Sequence, residues 1–298
     1  MPRSAGSGRG RAPARAALAG NPSDGYGGAV LAVAVEAFAA EAVVVADGSP
    51  STGGSALVDA TVRRFCREFL PGQDPGANRV EWSTTIPRSV GLGGSSAIVL
   101  AVLRALSELH DVSLEADALA ELALSIEVDD LGIAAGMQDR VAQSYAGVTF
   151  MEFGADPPRY ERLQGASLPP LLLAWRADAA GSSGTVHGDL RSRHRRDDPV
   201  VLESIDELGS LARRARAAVL AGDGAELARC ADRSFDARAR MLELDPRHVE
   251  MIELARRHGA GANYTGSGGA VICVCEGERH RDAVALALAA SGCSTLSI

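Results

Sequence analysis

The sequence predicts a mixed fold of strands and helices arranged as two closely packed halves, and three observations carry that reading. The chain has 298 residues, at the upper end of what one hydrophobic core organises, about 250–300 residues. Strand-like apolar runs and helical spacing alternate along its first half, whereas long helical periodicity dominates the second. With 46% hydrophobic and 23% charged residues, 33 glycines and 13 prolines, it has the composition of an ordinary globular chain with material for a core.

Residues 1–12, rich in Gly, Ser, Ala, Pro and Arg, read as a frayed tail; no apolar h-region follows, so a secretory signal is not expected. Residues 14–20 run into a turn-rich NPSDGYGG (21–28), and AVLAVAVEAF (29–38) reads as a buried strand. A second apolar run, Ala42–Ala46, ends in the loop 47–54. Helical spacing over 56–70 (Leu57, Val58, Val62, Phe65, Phe69) is followed by strand alternation over Arg79–Thr85. From Pro87 to Glu108 a glycine-rich bend leads into a helix with Ile98, Val99, Val102, Leu103 and Leu106 inward. Ser113 reads as the N-cap of the next helix, through about Ile126, with Glu115 and Asp117 at its positive end. An acidic group (Glu127, Asp129, Asp130, Asp139) surrounds LGIAAGMQ, and Tyr145–Phe153 reads as a strand.

The prolines after Gly154 place a soft boundary near residue 155, giving halves 13–155 and 156–298. Beyond it come a strand at Leu171–Trp175, helices over 200–221, 225–243 and 247–258 broken at Gly222, Pro246 and Gly259, the segment GANYTGSGGAVICVC (261–275), a helix near 279–291 and a short last strand. The longest apolar stretch, Gly28–Ala40, is interrupted by Glu36 and too short to span a bilayer, so no membrane segment is expected.

A net charge of −8 argues against a nucleic-acid partner, which needs a basic field. All 30 basic residues are arginine, which excludes a Walker-A lysine and Schiff-base chemistry. Phosphate then has to be held by backbone, arginine or metal. The five cysteines (Cys66, Cys230, Cys273, Cys275, Cys293) are scattered without zinc spacing, which predicts a reducing, cytoplasmic setting. Cys273 and Cys275 share one face of a strand with no further ligand nearby and read as structural.

The most informative segment is Pro87–Ala97. Gly91, Gly93 and Gly94 let backbone N–H groups approach an anion closely, and the helix behind them adds a positive dipole. A bare glycine-rich bend is more often a turn packed close to a neighbouring strand; the adjoining SSA and long helix favour a phosphate cradle.

PRSVGLGGSSA (87–97) resembles the P-x-x-x-G-L-G-S-S-A signature of the GHMP kinases, with two glycines (Gly93, Gly94) where the signature has one. ARAALAGNPSDGYGG (14–28) is similar to the family's N-terminal substrate motif and NYTGSGGAV (263–271) to its C-terminal glycine-rich motif. GNPSD (20–24), LGIAAGMQDRVAQSYAGVTFMEF (131–153), SSGTVH (182–187) and FDARARM (235–241) together look like the glucuronokinase branch of sugar 1-kinases.

The resemblance implies an α+β two-domain fold with ATP in the cleft between the halves, Mg²⁺, and a sugar or sugar-acid substrate. It implies nucleotide contacts at Pro87, Val90, Gly91, Leu92, Gly93, Gly94, Ser95, Ser96, Ala97, Thr265, Gly266 and Gly268. Asp139 in GMQDR matches the family's catalytic aspartate, which accepts the acceptor's proton or orients its hydroxyl; read alone it is a turn or capping aspartate. Glu127 matches the metal-binding glutamate and needs only a serine hydroxyl beside it, Ser96 by first choice or Ser95. Asn21, Ser23, Asp24 and Tyr26 are expected at the sugar, although three of these residue types would also stabilise a turn. Arg15 is a candidate for a phosphate or carboxylate, or equally a surface residue. Asn263 and Tyr264 stand where many relatives place a basic residue before Thr265. The run Arg191–Arg196 reads as a solvated face or a loop reaching the site, and His187 and His194 as ordinary loop histidines. The expected activity is phosphorylation of an anomeric hydroxyl, with D-glucuronate first. The alternatives are galactose, a heptose, a mevalonate-like alcohol, or a ligand sensor of the same fold without turnover. Oligomeric state is left open.

Overall fold

In the computed structural model, residues 6–48, 52–75, 78–165, 167–176 and 190–298 are described. The elements in order are β1 (Ser7–Ala19), a 3-10 turn (Ser23–Tyr26), β2 (Ala29–Ala46), α1 (Ala56–Phe69), β3 (Asn78–Thr84), α2 (Gly94–His110), α3 (Ala116–Ser125), a π-helical turn (Ile126–Asp130) and α4 (Gln138–Tyr145). β4 (Val148–Glu152), β5 (Arg159–Arg162), β6 (Leu171–Trp175), α5 (Pro199–Ala221), α6 (Gly224–Met241), α7 (Pro246–Arg257), β7 (Gly261–Tyr264), β8 (Ala270–Val274), α8 (Glu278–Ala290) and β9 (Ser294–Ser297) follow. One sheet has the order β1-β2-β4-β5, with β3 also paired to β2, and the other β7-β8-β6-β9. The fold is the expected mixture of helix and sheet.

Two compact units emerge, neither continuous in sequence: residues 1–14, 35–86 and 93–146 form one, and residues 15–34, 87–92 and 147–298 the other. In the first unit, Ala40–Ala46 of β2 pair antiparallel with β3, and α1 packs on α2 and α3 on α4. In the second, Ala29–Val33 of β2 pair with β4, β4 pairs with β5, and α6 packs on β7. Its core joins Leu172, Phe235, Ile252, Tyr264, Val271 and Cys273.

Four expectations about local structure are corrected. Residues 7–12 are not a frayed tail but the start of β1, because Gly8 and Gly10 lie flat on α2: a Cβ on Gly8 would stand 2.0 Å from the Ala105 carbonyl, and one on Gly10 1.9 Å from that of Ala101. Glycine here is a requirement of packing. The two apolar runs before residue 47 form one uninterrupted strand. Ser113 does not cap α3; Glu115 stands at the N-cap, without a side-chain hydrogen bond. The proline-containing stretch after Gly154 is the connection between the paired strands β4 and β5 and not a break between compact units, since β-pairing holds both its ends.

The later helices have the punctuation that their sequence signals. Asp198 caps α5 ahead of Pro199 and left-handed Gly222 ends it, Asp223 caps α6, and Asp245 caps α7 ahead of Pro246. All five cysteines are free and buried. Among the described residues, no helix is long and apolar enough to cross a membrane.

Candidate active site

In the first unit, the predicted residues converge on α4. Gly93 takes a left-handed conformation (φ 74°) and stands at the N-cap of α2, a backbone state a side chain would oppose. Its carbonyl accepts from Ala97 N at 3.1 Å, from Ser96 Oγ at 3.0 Å and from Gln143 Nε2 at 2.8 Å. Gln143 Nε2 also donates to the Pro13 carbonyl at 2.9 Å. Ser96 and Ala97 are buried, while Ser95 is exposed at the open end of the helix. A Cβ on Gly94 would meet nothing nearer than Ile86 at 3.7 Å, so the additional glycine leaves open space where the first N–H groups of α2 lie unpaired within the helix.

Asp139 sits in the first turn of α4, partly exposed, one helical turn before Gln143. Between them, Arg140 is buried and donates through Nε to Glu127 Oε2 at 2.8 Å, through Nη2 to the same oxygen, and through Nη1 to the Gly136 carbonyl at 2.7 Å. Glu127 is fully buried on the π-helical turn, and its Oε1 has no hydrogen-bond partner among the described residues. Three neighbouring positions of α4 thus carry the predicted aspartate, fix the predicted glutamate and brace the glycine turn. Asp129 and Asp130 face Arg64 and Arg67 instead, with Asp130 2.8 Å from Arg64 Nε.

The second unit holds the other glycine-rich segments. Gly91 (φ 76°) approaches 265–269 so closely that a Cβ would lie 2.9 Å from the Gly268 carbonyl, and one on Gly266 would lie 2.5 Å from that of Gly91. Pro87, Val90 and Leu92 belong to the same segment, Val90 and Leu92 being buried, with a Cβ on Gly269 2.7 Å from Val90 Cα. Thr265 is buried, and its Oγ1 donates to the Gly91 carbonyl at 3.0 Å. Arg15 lies beneath both segments, buried, and Nη1 donates to the carbonyls of Gly91 and Thr265, each at 2.6 Å. It is therefore not a surface residue; its guanidinium joins the two loops and sets a positive charge under them.

Of the NPSD turn, Asn21 and Ser23 are buried and turned inward. Asn21 Nδ2 donates to the Tyr264 carbonyl at 3.1 Å, Asn21 Oδ1 accepts from Asn263 Nδ2 at 3.1 Å, and Ser23 Oγ donates to the Ala29 carbonyl at 2.9 Å. Asp24 and Tyr26 stay partly exposed on the 3-10 turn. Partial burial raises the Tyr26 pKa, Arg191 opposing and Asp24 reinforcing the shift. The Tyr26 ring lies 4.6 Å from that of His194, so the basic run packs against the turn that follows Asn21. Arg193 within it donates to Asp198 at 2.9 Å and to the Met241 carbonyl at 2.6 Å. His187 and the segment 182–187 lie outside the described residues.

Sequence reading missed Gln143 and Arg140 as braces, and it missed Arg238. Leu227, Cys230, Ala231, Ser234, Phe235 and Met241 form the buried face of α6, and Arg238 falls on that face. An arginine in register with an apolar stripe is the signal that was available.

A left-handed glycine opening a long helix is braced by the helix that carries an aspartate and fixes a buried glutamate, the setting expected from the resemblance to a glycine-loop kinase family. The chain belongs to the GHMP kinases: the model of the GHMP kinases N terminal domain matches residues 56–147 and that of the GHMP kinases C terminal domain residues 215–293. It is 38% identical to Glucuronokinase 1 of Arabidopsis thaliana over 224 residues, 72% of this chain and 61% of that protein. It is 37% identical to Probable glucuronokinase 2 of the same plant over 225 residues, with the same coverage. The chain thus spans 61% of the length of these curated relatives. The fold is similar to the crystal structure of the Streptococcus pneumoniae phosphomevalonate kinase, with a TM-score of 0.81, 14% identity, and coverage of 98% of this chain and 100% of that one.

Proposed function

We propose that the protein is an ATP-dependent sugar kinase that phosphorylates the anomeric hydroxyl of D-glucuronate, giving the 1-phosphate and ADP. The likeness to the glucuronokinases supports the acceptor. The observation that carries the phosphotransfer is the bracing of α4, where Arg140 and Gln143, just after Asp139 in the chain, hold Glu127 and the Gly93 turn.

Phosphoryl transfer is chiefly positioning and electrostatic stabilisation. The unpaired N–H groups at the start of α2 and its dipole suit the nucleotide phosphates, beside Gly94, Ser95 and Ser96. In the second unit, Thr265, Gly266 and Gly268 are assigned to the nucleotide as well, and Arg15, hydrogen-bonded to the carbonyls of Gly91 and Thr265, sets a positive charge under that glycine segment. Asp24 and Tyr26, the partly exposed side chains of their turn, receive the sugar. Asp139 orients the anomeric hydroxyl and takes its proton as the bond to phosphorus forms. The donors fit a magnesium ion: Glu127, whose buried Oε1 is a hard oxygen without a hydrogen-bond partner among the described residues, and Ser96, or exposed Ser95, would hold it. An ion held there would neutralise charge on the nucleotide phosphates.

The test is ADP release from ATP and Mg²⁺ against glucuronate, galacturonate, glucose, galactose and mevalonate, with phosphorus NMR of the product. Fastest turnover with glucuronate, yielding an anomeric phosphate, is expected. A different preferred acceptor replaces the substrate, and no release with any of them overturns the kinase reading.

A further inference from the structure

Among the described residues, Arg238 heads the fully buried side chains by size, at 1% exposure. Its guanidinium lies 5.2 Å from the centre of the Tyr264 ring. Nε and Nη1 have no hydrogen-bond partner among the described residues, nor has the buried hydroxyl of Tyr264. Burial lowers the Arg238 pKa to about 10, the largest influence on it; the other groups whose fields reach it are Tyr264, Arg15 and Asp24. Of the two charged ones, Arg15 is buried and committed to carbonyls of the glycine loops, whereas Asp24 is partly exposed on the sugar turn.

A buried guanidinium without a hydrogen-bonded anion is costly and is retained where a ligand supplies the anion. The ring beneath it orients the planar group but satisfies none of its N–H donors. What is missing is a planar acceptor of one negative charge, the chemistry of a carboxylate, for which arginine is suited by its fork of donors. The Tyr264 hydroxyl adds one further donor. Among the acceptors of a sugar kinase, a uronic acid carries that group and a neutral hexose does not.

We infer that Arg238, with the Tyr264 hydroxyl, binds the carboxylate of the acceptor and so sets the preference for a uronic acid. The inference rests on the glucuronate reading above and adds the residue that recognises the acid.

The test compares D-glucuronate with D-glucuronamide, its uncharged amide of nearly the same shape, at saturating ATP and Mg²⁺. The intact protein is expected to favour the acid in kcat/KM by about 50-fold, because an amide cannot neutralise the buried cation. In Arg238→Met the ratio is expected to collapse toward one through a higher KM for glucuronate, with partial recovery in Arg238→Lys and KM for ATP within about threefold of the original. Equal use of acid and amide by the intact protein overturns the inference, and this comparison holds even if the variants do not fold. A folded Arg238→Met that keeps the acid preference overturns it too. A rise in KM for ATP as large as that for glucuronate overturns it in favour of a nucleotide-phosphate contact. These results leave the kinase reading intact wherever glucuronate is turned over. Turnover of neutral hexoses without any of glucuronate removes both readings at once.

Discussion

Arg140 Nε donates to Oε2 of Glu127 at 2.8 Å, while Oε1 of the same carboxylate has no hydrogen-bond partner among the described residues. Both side chains are buried, so the pair fixes the carboxylate and leaves one oxygen uncommitted. Removing one partner of a buried pair strands the other's charge, a loss of about 3–5 kcal/mol. Arg140→Met is therefore expected to lower stability by that order, and Arg140→Met with Glu127→Met to recover much of it, in denaturant unfolding. A double variant no more stable than the single one would show that the pair is not the source. Glu127→Gln is expected to demand more Mg²⁺ for half-maximal turnover, and an unchanged Mg²⁺ titration refutes the metal role.

Asp139 precedes Arg140 in the chain and is partly exposed in the first turn of α4. Its replacement by asparagine preserves shape and leaves Arg140 and Gln143 in place. Asp139→Asn is expected to reduce kcat by about 10²–10⁴-fold, with unfolding free energy within about 1 kcal/mol of the original. Full turnover in a normally stable variant removes Asp139 from the chemistry.

The fold was legible because helix and strand signals agree with packing along most of the chain. β6 occupies the expected Leu171–Trp175, and α5, α6 and α7 begin and end within two residues of their expected bounds. The misreading of residues 7–12 came from treating glycine as a sign of freedom, when Gly8 and Gly10 are dictated by contact with α2. At the site, the motifs located the loops and acids but not how they are held. That Arg15 would reach the carbonyl of Thr265, 250 residues away, is a product of tertiary folding that no local spacing encodes. The same holds for Asn21 and Ser23, whose polar groups look equally suited to a ligand or a turn until their partners are seen.

Asp245 gives the protein a pH-dependent component of stability. The Arg247 guanidinium beside it holds its carboxyl well below the usual carboxylate range, and the Arg247 backbone N–H, 2.9 Å from Oδ1, acts in the same direction. Because the folded pKa lies below the unfolded value of about 4, this stabilisation is fully present above that value and is lost as pH falls toward the folded pKa. Asp245→Ala is expected to cost about 1 kcal/mol at pH 7 through the α7 cap, less what solvent screening removes from the ion pair. Asparagine can still cap but does not titrate. The stability difference between the intact protein and Asp245→Asn, followed by urea unfolding at stepped pH, should thus be constant from pH 5 to 8 and shrink below pH 4. A difference unchanged down to pH 2 would exclude the carboxylate as its source.

Arg15 and Thr265 share an acceptor, the carbonyl of Gly91, at 2.6 Å from Arg15 Nη1 and 3.0 Å from Thr265 Oγ1. Arg15 also reaches the Thr265 carbonyl, so the two side chains form one clamp on two glycine segments that touch along their backbones. Charge-assisted hydrogen bonds contribute about 1.5–3 kcal/mol and neutral ones about 0.5–1.5 kcal/mol. Arg15→Met and Thr265→Val are expected to destabilise the protein in those respective ranges. Because either partner alone still satisfies the Gly91 carbonyl, the double variant should lose more than the sum of the single losses, by about 0.5–1.5 kcal/mol. Strict additivity in a double-mutant cycle would show that the two residues act independently. Loosening the clamp also frees the loops proposed to receive nucleotide, so KM for ATP is expected to rise more than KM for the sugar in both single variants. A rise confined to the sugar would instead return Arg15 to the acceptor side of the reaction.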